Sequence, residues 1–239
     1  MIFTQTQKEN HIKKLKESIV NLQGIEKILV KKNPNHSFLY SVIGNAGSGM
    51  IELLLYLEGK NPYYNQFDDK FYNNRQATMH RVFFGDLHVA VEEGLRKIIT
   101  EQKLTIITSK VLMANNIVNK ISSKLSDMTA IKHELTEIKK LASNHPTFND
   151  YLNTVLNHIK RLSNKYKKAS RVYFDGLSII RNKVSHSDMS LTDIEKQKLK
   201  NAKLGNAISK DGLLQMTFEG YKFLVGDVIR FFDTLYANL

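Results

Sequence analysis

Arg181 and His186, with four residues between them, are the two side chains of this sequence whose chemistry combines most readily. Arginine carries a permanent charge that can hold a phosphate, and histidine titrates near neutral pH, so it can take up or release a proton. Together they could cleave a phosphodiester without a metal ion. Asn182, Lys183 and Ser185 lie between them and could add polar contacts to the same substrate. We call residues 181–186 the motif.

A long periodic segment leads to the motif. Apolar residues recur at steps of three and four from Phe148 to Val184, which predicts one continuous helix of about ten turns. At about 100° of rotation per residue, the apolar stripe faces the core and the motif faces away from it. Lys160, Lys167 and Arg171 lie on the same outward side. The sequence therefore predicts an exposed motif in line with a basic stripe.

The same helical geometry relates the motif residues to one another. Asn182 and His186 form an i, i+4 pair, so the amide could hydrogen-bond the imidazole and fix its tautomer. Arg181 and His186 diverge by about 140°, which leaves two alternatives: the helix kinks, or a second copy of the protein completes the site. Phe174 and Ile179 lie off the apolar stripe, and exposed apolar residues beside a polar site indicate a subunit contact.

The charge of the chain suits a polyanionic partner. The 239 residues have a net charge of +12, and residues 96–171 carry 15 Lys and Arg against 5 Asp and Glu. Phosphate neutralisation and counterion release would favour nucleic acid, whereas a solvated lysine-rich face is the alternative. The densest cluster has no acid among its members: Lys160, Arg161, Lys165, Lys167, Lys168 and Arg171.

The composition indicates a folded cytoplasmic protein. The absence of cysteine excludes disulfides and cysteine-ligated zinc and suits a reducing cytosol, while 42% hydrophobic residues suffice for a core. The first ten residues lack a secretory pattern. The longest apolar run, residues 51–57, contains Glu52 and is too short to cross a bilayer, so we expect no membrane role.

Helical period dominates the other segments, which predicts an all-α bundle. The glycines at 44, 47 and 49 interrupt the apolar stretch 38–57, and residues 59–74 have the composition of a loop. A more charged surface helix is expected over residues 127–142. Amphipathic helices are predicted over residues 8–30, 84–98, 104–125 and 214–235.

The stretch from Ile180 to His186 resembles the signature of the HEPN superfamily (higher eukaryote and prokaryote nucleotide-binding domains). That signature is Arg, usually a polar residue next, four to six intervening positions and then His, at the end of a long helix. The resemblance covers residues 75–239 and implies an all-α bundle of HEPN type that dimerises with its two motifs facing each other. Residues 1–74 would be an N-terminal helical extension packed on this core.

In many members the family is a metal-independent endoribonuclease of toxin–antitoxin, abortive-infection or other defence systems. The resemblance thus implies RNA as substrate, a homodimer, a cognate antitoxin or regulatory protein as candidate partner, and neither metal nor cofactor. One departure stands at Asp188, where toxins paired with nucleotidyltransferase antitoxins carry a tyrosine. Control by adenylylation of such a tyrosine is therefore not expected.

The resemblance also suggests a role for each motif residue. His186 would be the general base or acid for attack of the 2′-hydroxyl or departure of the 5′-oxygen. Arg181 would hold the scissile phosphate, and Asn182 would orient His186 or touch the phosphate. The expected RNA-binding residues are Lys183, Ser185, Lys160, Lys167 and Arg171, and the expected dimer contacts are Phe174 and Ile179.

Other candidate sites are weaker. The glycines of residues 44–49 have the spacing of a P-loop, but the Lys and Ser/Thr that should follow are missing, so close packing or a helix break is favoured. His88 with Glu92, and His133 with Glu137, are i, i+4 pairs that each lack a third metal ligand. Asp86, Glu92 and Glu93 could approach the motif. Ser190 with Asp193 is predicted to cap a short helix.

Two other functions remain open. One is a non-catalytic HEPN-like module that binds a nucleotide, RNA or a protein partner at the same dimer cleft. The other is a helical interaction protein whose basic helix meets DNA or an acidic partner. The latter predicts that Lys160, Lys167 and Arg171 matter for binding, whereas Arg181 and His186 do not.

Overall fold

The computed structural model describes residues 3–32, 34–61, 68–106, 108, 113–114, 116–117, 119, 121, 146–186 and 188–239. In this part of the chain the fold is all-α, with two isolated bridges, Ser190 to Leu213 and Ile208 to Leu214, and no β-strand. The α-helices are α1 (Gln5–Lys32), α2 (Tyr40–Leu57), α3 (Asp69–Glu101), α4 (Phe148–His158), α5 (Asn164–Ser185), α6 (Asp193–Asn201) and α7 (Phe218–Tyr236), and the short 3-10 helices are Pro34–Leu39 and Gly205–Ala207.

The chain divides into two compact units. The first contains residues 1–94 and 163–239, and the second contains residues 95–162. α3 passes from the first unit into the second at Gly94 and Leu95. The predicted division between residues 74 and 75 lies within α3 and stays a prediction. The helix predicted over residues 127–142, the pair His133–Glu137 and most of residues 104–125 lie outside the described residues.

In the first unit, α1 packs against α2 and α7. Leu15, Ile19 and Leu22 form its buried stripe at steps of four and three, as the sequence predicts. The 3-10 helix that follows α1 is fastened to the last turns of α7, because the buried His36 Nε2 lies 2.8 Å from Asp233 Oδ1. The N-terminal helices therefore bury apolar surface against the C-terminal helix.

α3 supplies the aromatic centre of this unit. The Phe83 ring stacks on Tyr221 of α7 with their centroids 4.0 Å apart, and the Tyr221 hydroxyl hydrogen-bonds Nδ1 of the buried His80. A Cβ on Gly94 would lie 2.5 Å from Cζ of Phe232, so the glycine permits close approach of the two helices.

The loop predicted over residues 59–74 is shorter than expected, because α3 begins at Asp69. Tyr72, which lies inside the predicted loop, is instead fully buried in α3. The start of α3 is held by Tyr56, whose hydroxyl accepts a hydrogen bond from the amide of Asp68 at 2.7 Å. Burial of the aromatic side chains therefore overrides the local composition.

The glycines of residues 44–49 do not interrupt α2, which is continuous from Tyr40 to Leu57. A Cβ on Gly49 would lie 2.8 Å from Cγ of Met79, so α2 and α3 approach closely at this point. Gly44 and Gly47 have open space around them. Close packing at Gly49 explains one glycine of the P-loop-like pattern, and a helical backbone throughout leaves no phosphate-binding loop.

The continuous helix predicted from Phe148 to Val184 is wrong, because the chain breaks between α4 and α5. Ile159 is extended (ψ 94°) and ends α4, and Ser163 begins α5 by accepting a hydrogen bond from the amide of Tyr166. Ile159 and Leu162 are both buried, so apolar residues keep their helical spacing across the break. The spacing therefore cannot predict where α4 ends. Lys160 lies in this break, and helical phase cannot relate it to α5.

Among the described residues, one helical stretch, His36–Leu57, is long and apolar enough to cross a membrane by length and composition, with a mean hydropathy of 1.3. It includes residues 51–57, a run that by itself is too short to cross a bilayer. A single such helix is weak evidence, since the core helix of a soluble protein passes the same test. α2 buries Val42, Met50 and Leu53 inside the first unit. The cytoplasmic location stays a prediction.

Candidate functional site

α5 carries the motif at its C-terminal end and is anchored along one face. Phe174, Leu177, Ile180 and Val184 are buried there, while Arg181, Asn182, Ser185 and His186 are exposed. A Cβ on Gly176 would lie 2.6 Å from Cβ of Ala202, so α6 packs directly on α5. The outward direction of the motif is therefore confirmed.

Phe174, one of the two predicted dimer contacts, is buried in the core. Its side chain is 1% exposed and packs edge-to-face on Phe231 of α7, with centroids 4.7 Å apart. The predicted exposure is wrong, because the buried face of α5 is rotated toward Ser170 and Phe174 relative to the predicted stripe through Ala169 and Tyr173. Ile179, the other predicted contact, is half-buried.

Arg181 and Asn182 contact each other. Nη1 of the guanidinium donates to Oδ1 of the Asn182 amide at 3.2 Å, and both side chains are exposed. The expected hydrogen bond between Asn182 and the imidazole of His186 is replaced by this contact with the arginine. Asn182 can therefore restrict the position of the cation directly.

His186 is the C-cap of α5, with φ −90° and ψ 1°. Its backbone amide donates to the carbonyl oxygen of Asn182 at 3.1 Å, so the helical hydrogen bonds continue up to the histidine. The imidazole is exposed and makes no hydrogen bond to any residue in the part of the chain that the structure describes. An exposed imidazole at this position is open to a substrate.

Lys183 was predicted to bind RNA, but its ammonium group is held by two carboxylates. Nζ lies 3.3 Å from Oδ2 of Asp188 and 3.3 Å from Oε2 of Glu195, and the side chain is 17% exposed. Desolvation acts to lower the pKa of Lys183, but the hydrogen bonds that its ammonium group donates to Glu195 and Asp188, together with their negative charges, outweigh it and leave the pKa raised. Lys183 therefore fastens the end of α5 to the start of α6.

Asp188 and Glu195 are each held by a second group as well. The Ser190 hydroxyl donates to Asp188 Oδ1 at 2.6 Å, and the hydrogen bonds of Ser190 lower the pKa of that carboxyl group. Glu195 completes a capping box with Thr192. The backbone amide of Thr192 donates a hydrogen bond to the Glu195 carboxylate and lowers the pKa of that carboxyl group. The predicted cap of α6 by Ser190 and Asp193 is thus wrong. Thr192 caps the helix, and the Ser190 hydroxyl instead donates to Asp188.

α3 brings His88 near Arg181 of the motif. Burial lowers the pKa of His88, the nearby charge of Arg181 lowers it further, and the carboxylate of Glu92 raises it. His88 is half-buried. The sequence predicts His88 and Glu92 as a pair at helical spacing, but only the fold places His88 near Arg181, which is 93 positions away in the chain.

The remaining predicted RNA-binding residues do not lie on a single helix. Lys167 and Arg171 lie half-buried on α5, Ser185 is the exposed last residue of that helix, and Lys160 is exposed in the turn after α4. Lys160 belongs to the second unit, whereas the other three belong to the first. The continuous basic stripe that helical phase predicted is therefore interrupted.

A metal centre would need clustered ligands. No group of three or more His, Asp or Glu side chains that could hold a metal ion occurs among the residues that the structure describes. The side chains of Arg181, Asn182 and His186 expose a cation, an amide and an imidazole at the end of α5. No protein-family model, no curated protein and no solved structure matches this chain.

Proposed function

We propose that this protein is a metal-independent endoribonuclease of HEPN type that acts as a homodimer in a toxin–antitoxin, abortive-infection or other defence system. The observation that carries the proposal is the joint exposure of Arg181 and His186 at one end of a well-anchored helix. A phosphate-binding cation and a titratable imidazole are the two groups that 2′-hydroxyl attack requires. The family resemblance of residues 180–186 supplies the substrate class.

The regularity of α5 supports a site shared between two copies. Its hydrogen bonds continue to the amide of His186, so the kink that would bring the two side chains together is absent from this described helix. In a regular helix the directions of Arg181 and His186 differ by about 140°. Side chains that leave the helix in such different directions are poorly placed to grip one phosphate, since catalysis requires both groups within a few ångströms of the reacting atoms. A second motif would supply the missing group.

In the proposed reaction, His186 takes the proton of the 2′-hydroxyl or gives one to the departing 5′-oxygen. The 2′-oxygen bonds to phosphorus, the bond to the 5′-oxygen breaks, and the products carry a 2′,3′-cyclic phosphate and a 5′-hydroxyl. Arg181 stabilises the charge that develops on the phosphate. Asn182 restricts the guanidinium that it contacts.

The first test is RNA cleavage by the purified chain in the presence of EDTA. We expect fragments with 2′,3′-cyclic phosphate ends from the unaltered protein and none from His186→Ala. His158→Ala, which removes an exposed histidine from α4, is the matched control and should cleave normally. Equal cleavage by the unaltered protein and His186→Ala would refute the proposal. RNA binding without cleavage would instead support the non-catalytic module.

A second test asks whether the site is shared. We expect Arg181→Ala and His186→Ala to be inactive when each is alone, whereas a mixed dimer would pair the remaining arginine of one copy with the remaining histidine of the other. We therefore expect activity to return on mixing the two variants. A chain with both substitutions, mixed with the unaltered chain, gives no active mixed dimer. The opposite pattern would place both groups in one copy.

A further inference from the structure

The first unit contains a cavity that the proposed catalytic groups do not use. It has a volume of about 550 Å³ and lies where α5, the end of α6 and the start of α7 meet. Ile180 lines it from α5, and Lys203, Asn206, Gln215, Thr217 and Phe223 line it from the later segments. We call it the α7 cavity. Ile180 immediately precedes Arg181, so the cavity adjoins the helix that carries the motif.

Lys203 holds an unusual backbone conformation at the edge of this cavity. Its φ is 61°, and its amide donates to the carbonyl oxygen of Lys200 while that of Leu204 donates to Leu199. This is the helix-ending arrangement in which glycine is preferred, because a Cβ in the left-handed region costs roughly 1 kcal/mol. This conformation fixes the direction in which the Lys203 side chain leaves the backbone at the edge of the cavity.

The Lys203 ammonium group is available for a ligand. The side chain is exposed and makes no ion pair with any carboxylate in the described parts of the chain. Asp227 also lines the cavity, but Arg230 of the same helix forms an ion pair with it. A cation held at a fixed backbone position beside a cavity suits a phosphate.

Phe223 gives the cavity an aromatic platform. The side chain is 59% exposed on α7, whereas most other phenylalanines of the described chain are buried or half-buried. The amides of Asn206 and Gln215 add groups that can donate and accept at the edge of a planar ring. An exposed aromatic face together with a nearby cation is the combination that holds an unpaired base and its phosphate.

A second cavity, lined by two lysines and by Glu17, adjoins the α7 cavity. It has a volume of about 420 Å³ and shares Gln215, Met216 and Thr217 with the α7 cavity. Lys14 of α1 and Lys222 of α7 line it. The two cavities therefore lie on either side of residues 215–217, and the second could receive the phosphate of a neighbouring nucleotide.

We propose that the α7 cavity binds one unpaired nucleotide of a single-stranded RNA, with its base against Phe223 and its phosphate on Lys203, and that the strand continues over residues 215–217 to Lys14 and Lys222. The choice of RNA rests on the proposed function. The cavity would hold one nucleotide of the bound strand and select single-stranded substrate.

The test measures binding of a fluorescent ten-nucleotide RNA with 2′-O-methyl groups, which cannot be cleaved by 2′-hydroxyl attack. Lys203→Gly is expected to weaken binding by about tenfold and to reduce the dependence of log K on log salt by about one charge. It should also raise the unfolding temperature, because it relieves the left-handed strain. Lys103→Gly is the matched control, since Lys103 has φ 50° and is also exposed. It should leave binding unchanged.

Phe223→Ala is expected to weaken binding by about tenfold through lost stacking. Ile194→Ala, which removes an apolar side chain that is 71% exposed on α6, should have no effect. The inference is overturned if the intact chain does not bind the probe, or if Lys203→Gly and Phe223→Ala bind as their controls do. If adenosine 5′-monophosphate binds as tightly as the ten-nucleotide RNA, the ligand is a single nucleotide and not a strand. The binding test does not depend on cleavage. A chain that binds the probe but shows no His186-dependent cleavage would contradict the proposed function and leave the nucleotide site supported.

Discussion

Nη1 of Arg181 donates a hydrogen bond to Oδ1 of Asn182, the next residue in the chain, at 3.2 Å. Both side chains are exposed at the end of α5. Adjacent residues in a helix point about 100° apart, so the contact requires the long arginine side chain to lean toward the amide. Asn182 therefore acts on the cation of the motif, while the His186 imidazole has no hydrogen-bond partner among the described residues.

Asn182→Ala should lower RNA cleavage by about tenfold, because a freely rotating guanidinium is less well positioned on the phosphate. The pH dependence of kcat/KM should stay where it is, since Asn182 does not contact the group that titrates. Asn164→Ala at the other end of α5 is the matched control and should cleave normally. A shifted pH profile would instead favour an amide that fixes the tautomer of His186.

Lys183→Met should lower the thermal unfolding midpoint, because it removes the contacts of the ammonium group with Asp188 and Glu195. High salt should narrow the difference from the unaltered protein, since salt screens exposed ion pairs. RNA affinity should change by less than about twofold beyond the change in Lys198→Met, which also removes one charge from an exposed site. A large loss of affinity with unchanged stability would show that Lys183 contacts RNA.

Phe174→Ala should destabilise the fold by about 3–5 kcal/mol, because it leaves a cavity against Phe231. Phe223→Ala, at a position 59% exposed, should cost less than about 1 kcal/mol. Urea unfolding checks both values, and sedimentation equilibrium checks that neither changes the oligomeric state. A dimer that dissociates in Phe174→Ala while its stability is unchanged would restore this residue as a subunit contact.

His80 should make the fold less stable in mild acid. Burial lowers the pKa of His80 from 6.5 to about 4, so the unfolded chain binds a proton in this window and the folded chain does not. The free energy of unfolding therefore falls as the pH drops from 6.5 toward 4, by up to about 3 kcal/mol from this group. Above pH 6.5 the contribution is complete.

Urea unfolding at pH 7.5 and pH 4.5 measures this difference. His80→Gln keeps an acceptor for Tyr221 but removes the titration, so its stability should fall less between the two pH values. His158→Gln, at an exposed site, should behave like the unaltered protein. If His80→Gln keeps the full pH dependence of stability, other groups cause that dependence.

Much of the described fold could be predicted from local pattern. The stripe Leu15, Ile19 and Leu22 specifies the buried side of α1, because side chains three and four residues apart share a helix face. The break after Ile159 could not be predicted this way, since residues on both sides of it are buried in any case. Only Ser163, a residue that often caps helices, could have signalled it.

For the candidate site, the sequence by itself determined the residue types, their spacing and the outward direction of Arg181 and His186. These follow from the helical repeat, which acts over a few residues. Only the tertiary structure decided that Phe174 is core, that Lys183 is held by Glu195, and that His88 lies near Arg181. Such relationships depend on how α3, α5, α6 and α7 pack, and packing joins residues whose separation in the chain carries no periodic signal.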